Sequence, residues 1–284
     1  MRIQVLPLLA AGLLVVGCGG AEQQQPDTTE SVTGKAEASQ NPEGPAPESG
    51  GSMIVSYEDA QTPEAVRGKE LLQGDQVLED MADDINDTLV LPYDIPLLGV
   101  QCDEANAFWD PDAKTVTICY EDTANSEQIF ADAGDPDPAA AAINTEWATF
   151  YHEVGHMAVT VYDLPITGRE EDVADQLAAY VLLQPDEDGQ PDPESVQSVK
   201  DFARVFGVSG EQRGEVGEAD LADVHTLDEA RMYNLECWIY GSDPAANGDL
   251  VSDGRLPEDR ADGCEAEWDQ LDNAWSTLLD PYFK

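Results

Sequence analysis

Basic residues are scarce in this sequence: Lys and Arg together number 13, against 59 Asp and Glu, for a formal charge of −46. Such a chain repels phosphate, which excludes nucleic acid as a natural partner. The acid is spread along the chain and is read as a strongly solvated surface, with a bias toward basic substrates as the sharper alternative. Histidine is scarcer still, with only His152, His156 and His225. No Cys-x-x-Cys occurs, which argues against a structural thiolate zinc site. Long apolar runs are also missing. The one that opens the chain, residues 3–16, is too short to span a membrane comfortably but suits a signal peptide.

That run ends Val15-Val16-Gly17-Cys18, which resembles the lipobox of bacterial lipoproteins. The resemblance implies a signal peptide over residues 1–17, cleavage before Cys18, and a lipid on that cysteine. The protein is then expected to be exported and held in the cell envelope through a membrane anchor. Residues 18–62 are rich in Gln, Glu, Pro, Ser, Gly and Thr. Such a segment cannot bury enough surface to offset its ordering entropy, so a disordered tether reaching roughly 30 Å is expected. Four cysteines remain, with three possible pairings. In an oxidising compartment two disulfides are the natural reading.

The folded domain is expected over residues 63–284. A helical pattern runs over residues 64–85, interrupted by Gly68 and Gly74. Short strands follow at 89–91 and 97–101, then a turn at Asp110-Pro111 and a β-branched strand at 115–120. A hairpin there would bring Cys102 and Cys119 together. The remainder reads as helical. One helix covers about 140–162, and a second starts near Gly168 behind a Thr167/Glu170 capping box. A third spans 194–206, and a fourth opens at a Thr226/Glu229 box and ends at Gly241. The last runs on from Pro257. Cys237 and Cys264 lie on the apolar faces of the last two, so a Cys237–Cys264 bridge would staple them.

His152-Glu153-Val154-Gly155-His156 lies inside the 140–162 helix. Residues four apart on a helix stand one above the other, about 5–6 Å between Cβ atoms. Two imidazoles so placed reach one ion at about 2.0–2.1 Å. Glu153, about 100° round the helix from His152, lies beside the ion without being an obligatory ligand. Two of the three histidines falling in this spacing, with the right glutamate, is a specific signal. The next helix offers Glu171-Asp172-Val173-Ala174-Asp175, with Glu171 and Asp175 on one face among small alanines. Glu171 is the expected third ligand. Asp175 is expected to hold the free N–H of a histidine, and Glu170 is assigned to the helix cap rather than to the ion.

HExxH followed by ExxAD resembles the Glu-ligand zinc peptidases, both the thermolysin group and the membrane-bound CAAX-processing group. Asn106-Ala107-Phe108-Trp109 is similar to the edge-strand segment of thermolysin-like enzymes. That likeness implies that Asn106 and Ala107 bind the substrate backbone. It also implies that a late histidine, here His225, stabilises the oxyanion; Tyr233 and Tyr240 are weaker candidates. Over residues 91–279 the chain more closely resembles an uncharacterised family of secreted bacterial metallopeptidases known by a domain-of-unknown-function label. The matching segments include Cys119-Tyr120-Glu121 and Gly168-Arg169-Glu170-Glu171-Asp172. The spanning helices of the membrane-bound group are missing.

The expectation is a single α+β, zincin-like domain, mostly helical with a small antiparallel sheet. It would use one zinc ion, held by His152, His156 and Glu171, to hydrolyse a peptide or protein substrate, with Glu153 taking the proton of the attacking water. One alternative is a binding lipoprotein that keeps the fold but has lost turnover, against which intact Glu153 and Glu171 argue. Another is a zinc hydrolase of a non-peptide amide.

Overall fold

The computed structural model of the protein describes residues 50–185 and 189–284. The signal-peptide segment, Cys18 and the tether as far as residue 49 lie outside the described residues. Among the described residues no helix is long and apolar enough to cross a membrane.

Strand β1, Met53–Tyr57, occupies a stretch assigned above to the tether, so the folded part begins ahead of residue 63. Its Ile, Val and Tyr favour extended backbone, but only Met53 is fully buried, which left a faint apolar signature. Helices α1 (Pro63–Gly74) and α2 (Val77–Thr88) follow. The single helical pattern over 64–85 divides after Gly74 because Gln76 takes the left-handed conformation, φ 56°. Thr62 caps α1 by accepting from the Ala65 N–H at 3.1 Å. Leu89 makes only an isolated bridge to Phe283, and the strand expected at 89–91 does not form.

Strands β2 (Ile95–Val100), β3 (Ala107–Asp110) and β4 (Thr115–Cys119) complete a sheet of order β1-β2-β4-β3. The sheet is mixed, not antiparallel throughout as expected. The tight turn after Asp110 makes β3 and β4 antiparallel, whereas β1 and β4 both run parallel to β2. The α1–α2 pair is the crossover that parallel neighbours require, and β4 reaches its place beside β2 only after the chain has passed through β3 at the far edge.

The extended run stops at Cys119, and Tyr120 already starts helix α3 (Tyr120–Asp132), which the sequence reading did not anticipate. Helix α4 (Pro138–Val161) begins at an Asp137 cap and carries the HExxH motif. Helices α5 (Glu170–Leu182) and α6 (Pro193–Arg213) pack against it, and after the short helix α7 (Glu218–Ala222), α8 (Asp228–Ser242) packs against α5 and α6. Neither expected capping box forms on α5 or α8. Glu170 is drawn to His156 and Glu229 to Arg213, each a stronger, charge-assisted partner than a backbone N–H. Short helices α9 (Asp249–Ser252) and α10 (Glu258–Ala261) precede α11 (Cys264–Leu279). The helix expected to run on from Pro257 is thus broken around Gly263.

Cys102 and Cys119 are bonded with Cα atoms 5.5 Å apart, fixing the segment that leads into β3. Cys237 and Cys264 are bonded with Cα atoms 5.1 Å apart. Gly241 was expected to end α8, but the helix continues through it to Ser242. A Cβ there would lie 2.3 Å from the Cys264 carbonyl oxygen, so glycine is needed for the close approach of α8 and α11 beside the disulfide.

Candidate metal centre

Helix α4 buries Phe150, Val154 and Met157 in the core and turns His152 and Glu153 toward a cleft. Gly155, between the two histidines, lets α5 come close: a Cβ on it would sit 2.7 Å from Cα of Ala174. This contact brings the acidic face of α5 to the histidines. Nε2 of His152 and Nε2 of His156 lie 3.3 Å apart. Oε2 of Glu171 is 3.3 Å from the first and 3.4 Å from the second. These are the ligand atoms of a group of three that converge within 4.8 Å of one another.

Each histidine is held from behind by its other ring nitrogen. Nδ1 of His152 is 2.8 Å from Oδ1 of Asp175, and Nδ1 of His156 is 2.8 Å from Oε1 of Glu170. The structure thus gives Glu170 a role the sequence reading withheld from it. Asp175 in turn accepts from the Arg231 guanidinium at 2.7 and 2.6 Å; His152, Asp175 and Arg231 are buried, whereas Glu170 is exposed. Burial opposes charge on His152, yet Asp175 and Glu171 outweigh it and push the imidazole up to about 9. Burial likewise opposes ionisation of Glu171, but the two histidines hold it well below the usual carboxylate range. The acids create a demand for positive charge at this point, which either protons or a divalent ion can meet. Two imidazole nitrogens and one carboxylate, the nitrogens oriented by further carboxylates, form a donor set that suits zinc.

Glu153 is not part of the converging group. It is 5% exposed, and burial raises its pKa, with the two histidines and the Trp109 backbone pulling the other way. The Trp109 contact follows from the strand register. The Asn106 carbonyl accepts from Cys119 N–H, so residues 106, 108 and 110 pair inward with β4. Ala107 and Trp109 therefore turn their backbone groups to the open edge of the sheet, beside Glu153. Asn106, Ala107 and Trp109 all line the cleft, a space of about 830 Å³.

His225 enters from the loop between α7 and α8, with Nε2 3.2 Å from Oε2 of Glu171. Asp223 holds it on the other side, accepting from its backbone N–H at 2.9 Å and facing Nδ1 at 2.8 Å. Arg169 steadies this loop through the carbonyls of Asp223 and His225. Tyr233 and Tyr240 do not line the cleft. Four residues at or behind the site, Glu170, Asp223, Arg231 and Asp122, were not assigned to it from sequence. Only Asp223 had a local signal, two residues before His225.

A family profile described as "Putative metallopeptidase" matches residues 57–279. The match starts at the end of β1, ahead of the span over which the resemblance was read from sequence. No curated protein and no solved structure matches the chain.

Proposed function

Because the chain belongs to the family this profile defines, we propose that it is a zinc-dependent peptidase that hydrolyses peptide bonds in the cleft beside β3. One observation carries the reading. The His152–His156–Glu171 group stands next to a buried carboxyl, Glu153, which is not among the converging donors, at the open edge of a sheet.

His152, His156 and Glu171 would hold the ion, which when bound supplies Lewis-acid polarisation of the scissile carbonyl and acidifies the attacking water. The remaining work falls to the chain. An extended substrate adds to β3 through the outward-facing backbone groups of Ala107 and Trp109, with Asn106 at the same edge. Glu153 takes the proton of the water and passes it to the departing amine; its raised pKa suits a group that must do both near neutral pH. His225, oriented by Asp223, donates to the oxygen that becomes negative. Asp175 and Glu170 keep the two imidazoles turned so that Nε2 faces the ion. A retired binding protein would have no need to retain Glu153 beside this donor set.

Metal content by mass spectrometry, read beside an unbiased peptide-cleavage profile, tests the proposal. About one zinc per chain together with peptide turnover is expected. Zinc without cleavage of any peptide removes the peptidase reading, and no zinc removes the metal centre.

The protein is further proposed to be an exported lipoprotein anchored through Cys18, supported by the lipobox-like ending and by two disulfides that suit an oxidising compartment. Cys18→Ser should move it from the membrane to the soluble fraction. A wild type already soluble would end that idea.

A further inference from the structure

Two carboxyl groups behind Glu153 have no part in the mechanism above. Glu146 lies two helical turns before Glu153 on α4 and is completely enclosed. Neither of its carboxylate oxygens makes a hydrogen bond of normal geometry, and the same is true of the enclosed Thr123 hydroxyl beside it. Its acidic neighbour is Asp122, in the first turn of α3, which lines the cleft together with Ser126, Thr145 and Thr149. Burial and the charge of Asp122 raise Glu146 well above the usual range, so it keeps its proton. Burial raises Asp122 only to about 6, so Asp122 carries the negative charge at neutral pH.

Among the described residues no cationic side chain is set against that charge. The cleft wall contains two arginines, Arg169 and Arg231. Arg231 is committed to Asp175 and Arg169 to the carbonyls of the His225 loop. A metal ion is the poorer occupant. The donors that converge as a group of three among the described residues are His152, His156 and Glu171, which leaves two carboxyls here, fewer than an ion of this kind takes. What fits is a cation brought in by the substrate on a long side chain, its ammonium or guanidinium meeting Asp122 while hydroxyls accept its remaining N–H groups.

We propose that Asp122, backed by Glu146, forms a subsite for a basic side chain of the substrate, so that the cleft selects peptides carrying Lys or Arg at one position near the scissile bond. The proposal rests on the peptidase reading for its substrate class, but the site itself is a binding site and can be tested without turnover.

Peptides that differ only in Lys against norleucine, placed in turn at each position across the scissile bond, are given to the zinc-loaded full chain. At one position the lysine peptide should show a kcat/KM at least about tenfold above its norleucine twin, as expected for a charge-assisted contact. In Asp122→Asn that ratio should fall to about one, whereas in Glu146→Gln, where a neutral amide replaces a neutral carboxylic acid, it should persist. Equal use of the two peptides by wild type at every position overturns the subsite, whatever the variants do. So does a lysine preference that survives Asp122→Asn. If no peptide is cleaved, the same pairs are compared by calorimetric binding. Tighter binding of lysine peptides that is lost in Asp122→Asn upholds the subsite while the peptidase reading fails. Equal binding overturns the subsite as well. A tightly held metal ion lost in Asp122→Asn, with no discrimination between the twins, would assign the pair to a cation instead.

Discussion

Oε1 of Glu170 lies 2.8 Å from Nδ1 of His156, 14 residues earlier in the chain and on a different helix. This pair mirrors Asp175 and His152 one turn along α5. Glu170→Ala should therefore weaken zinc binding by about tenfold or more, the scale on which orienting carboxylates act. Glu170→Gln keeps an acceptor oxygen and should cost less. Competition with a chelator measures both. Unchanged affinity in the alanine variant would return Glu170 to a purely surface role.

Glu153 and Glu171 separate catalysis from metal binding. Glu153→Gln should retain about one zinc per chain while turnover falls by about 10²–10⁴, the usual scale for lost general-base help. Glu171→Ala removes one of three donors, so zinc and activity should fall together. A fully active Glu153→Gln enzyme would end the hydrolytic mechanism proposed here.

His225 touches Glu171 yet is assigned to the reacting oxygen. His225→Ala should keep its zinc and lose about 10²–10³ in kcat with little change in KM. Asp223→Asn should give a smaller loss in the same parameter, because it leaves the imidazole in place but less firmly oriented. If His225→Ala loses zinc in step with activity, the histidine supports the ion and not the oxyanion.

Asp122 gives a prediction in pH. Burial raises its carboxyl in the folded state to about 6, above the unfolded value. Its contribution to stability is therefore fully present below the unfolded pKa, near 4, and is lost as pH rises through about 6. Asp122→Asn escapes that loss. Relative to wild type the variant should gain stability steadily from about pH 4 to pH 6 and level off above, as measured by denaturant unfolding. A difference that stays flat over this range would show that the carboxyl is not shifted.

The centre was legible where its residues share one helix. His152, Glu153 and His156 form a pattern within a single turn, and Glu171 and Asp175 a second pattern within the next helix. Glu170 was misread because a glutamate three residues after a threonine satisfies the local rule for a helix cap, and only the packing of α5 on α4 offers it a histidine. Arg231 and Asp122 come from distant elements, and nothing in their neighbours in sequence indicates what they face. In the fold the hairpin of β3 and β4 was readable from its turn. The parallel pairing of β1 was not, since a short strand with one fully buried side chain looks like the polar segment before it. Helix α3 was hidden by a strand that passes into a helix with no side-chain cap between them.

Strand β3 is only four residues long, yet its outer edge must stay open if peptides are to add to it. An exposed sheet edge accepts any extended chain, a second copy of the same protein included. Two features resist that misuse. The strand is too short to offer another edge many paired hydrogen bonds, and every approaching copy carries the same formal charge of −46. Mutual repulsion opposes such pairing until salt screens it, so the acidity of the whole chain disfavours misuse of the one edge that cannot be covered.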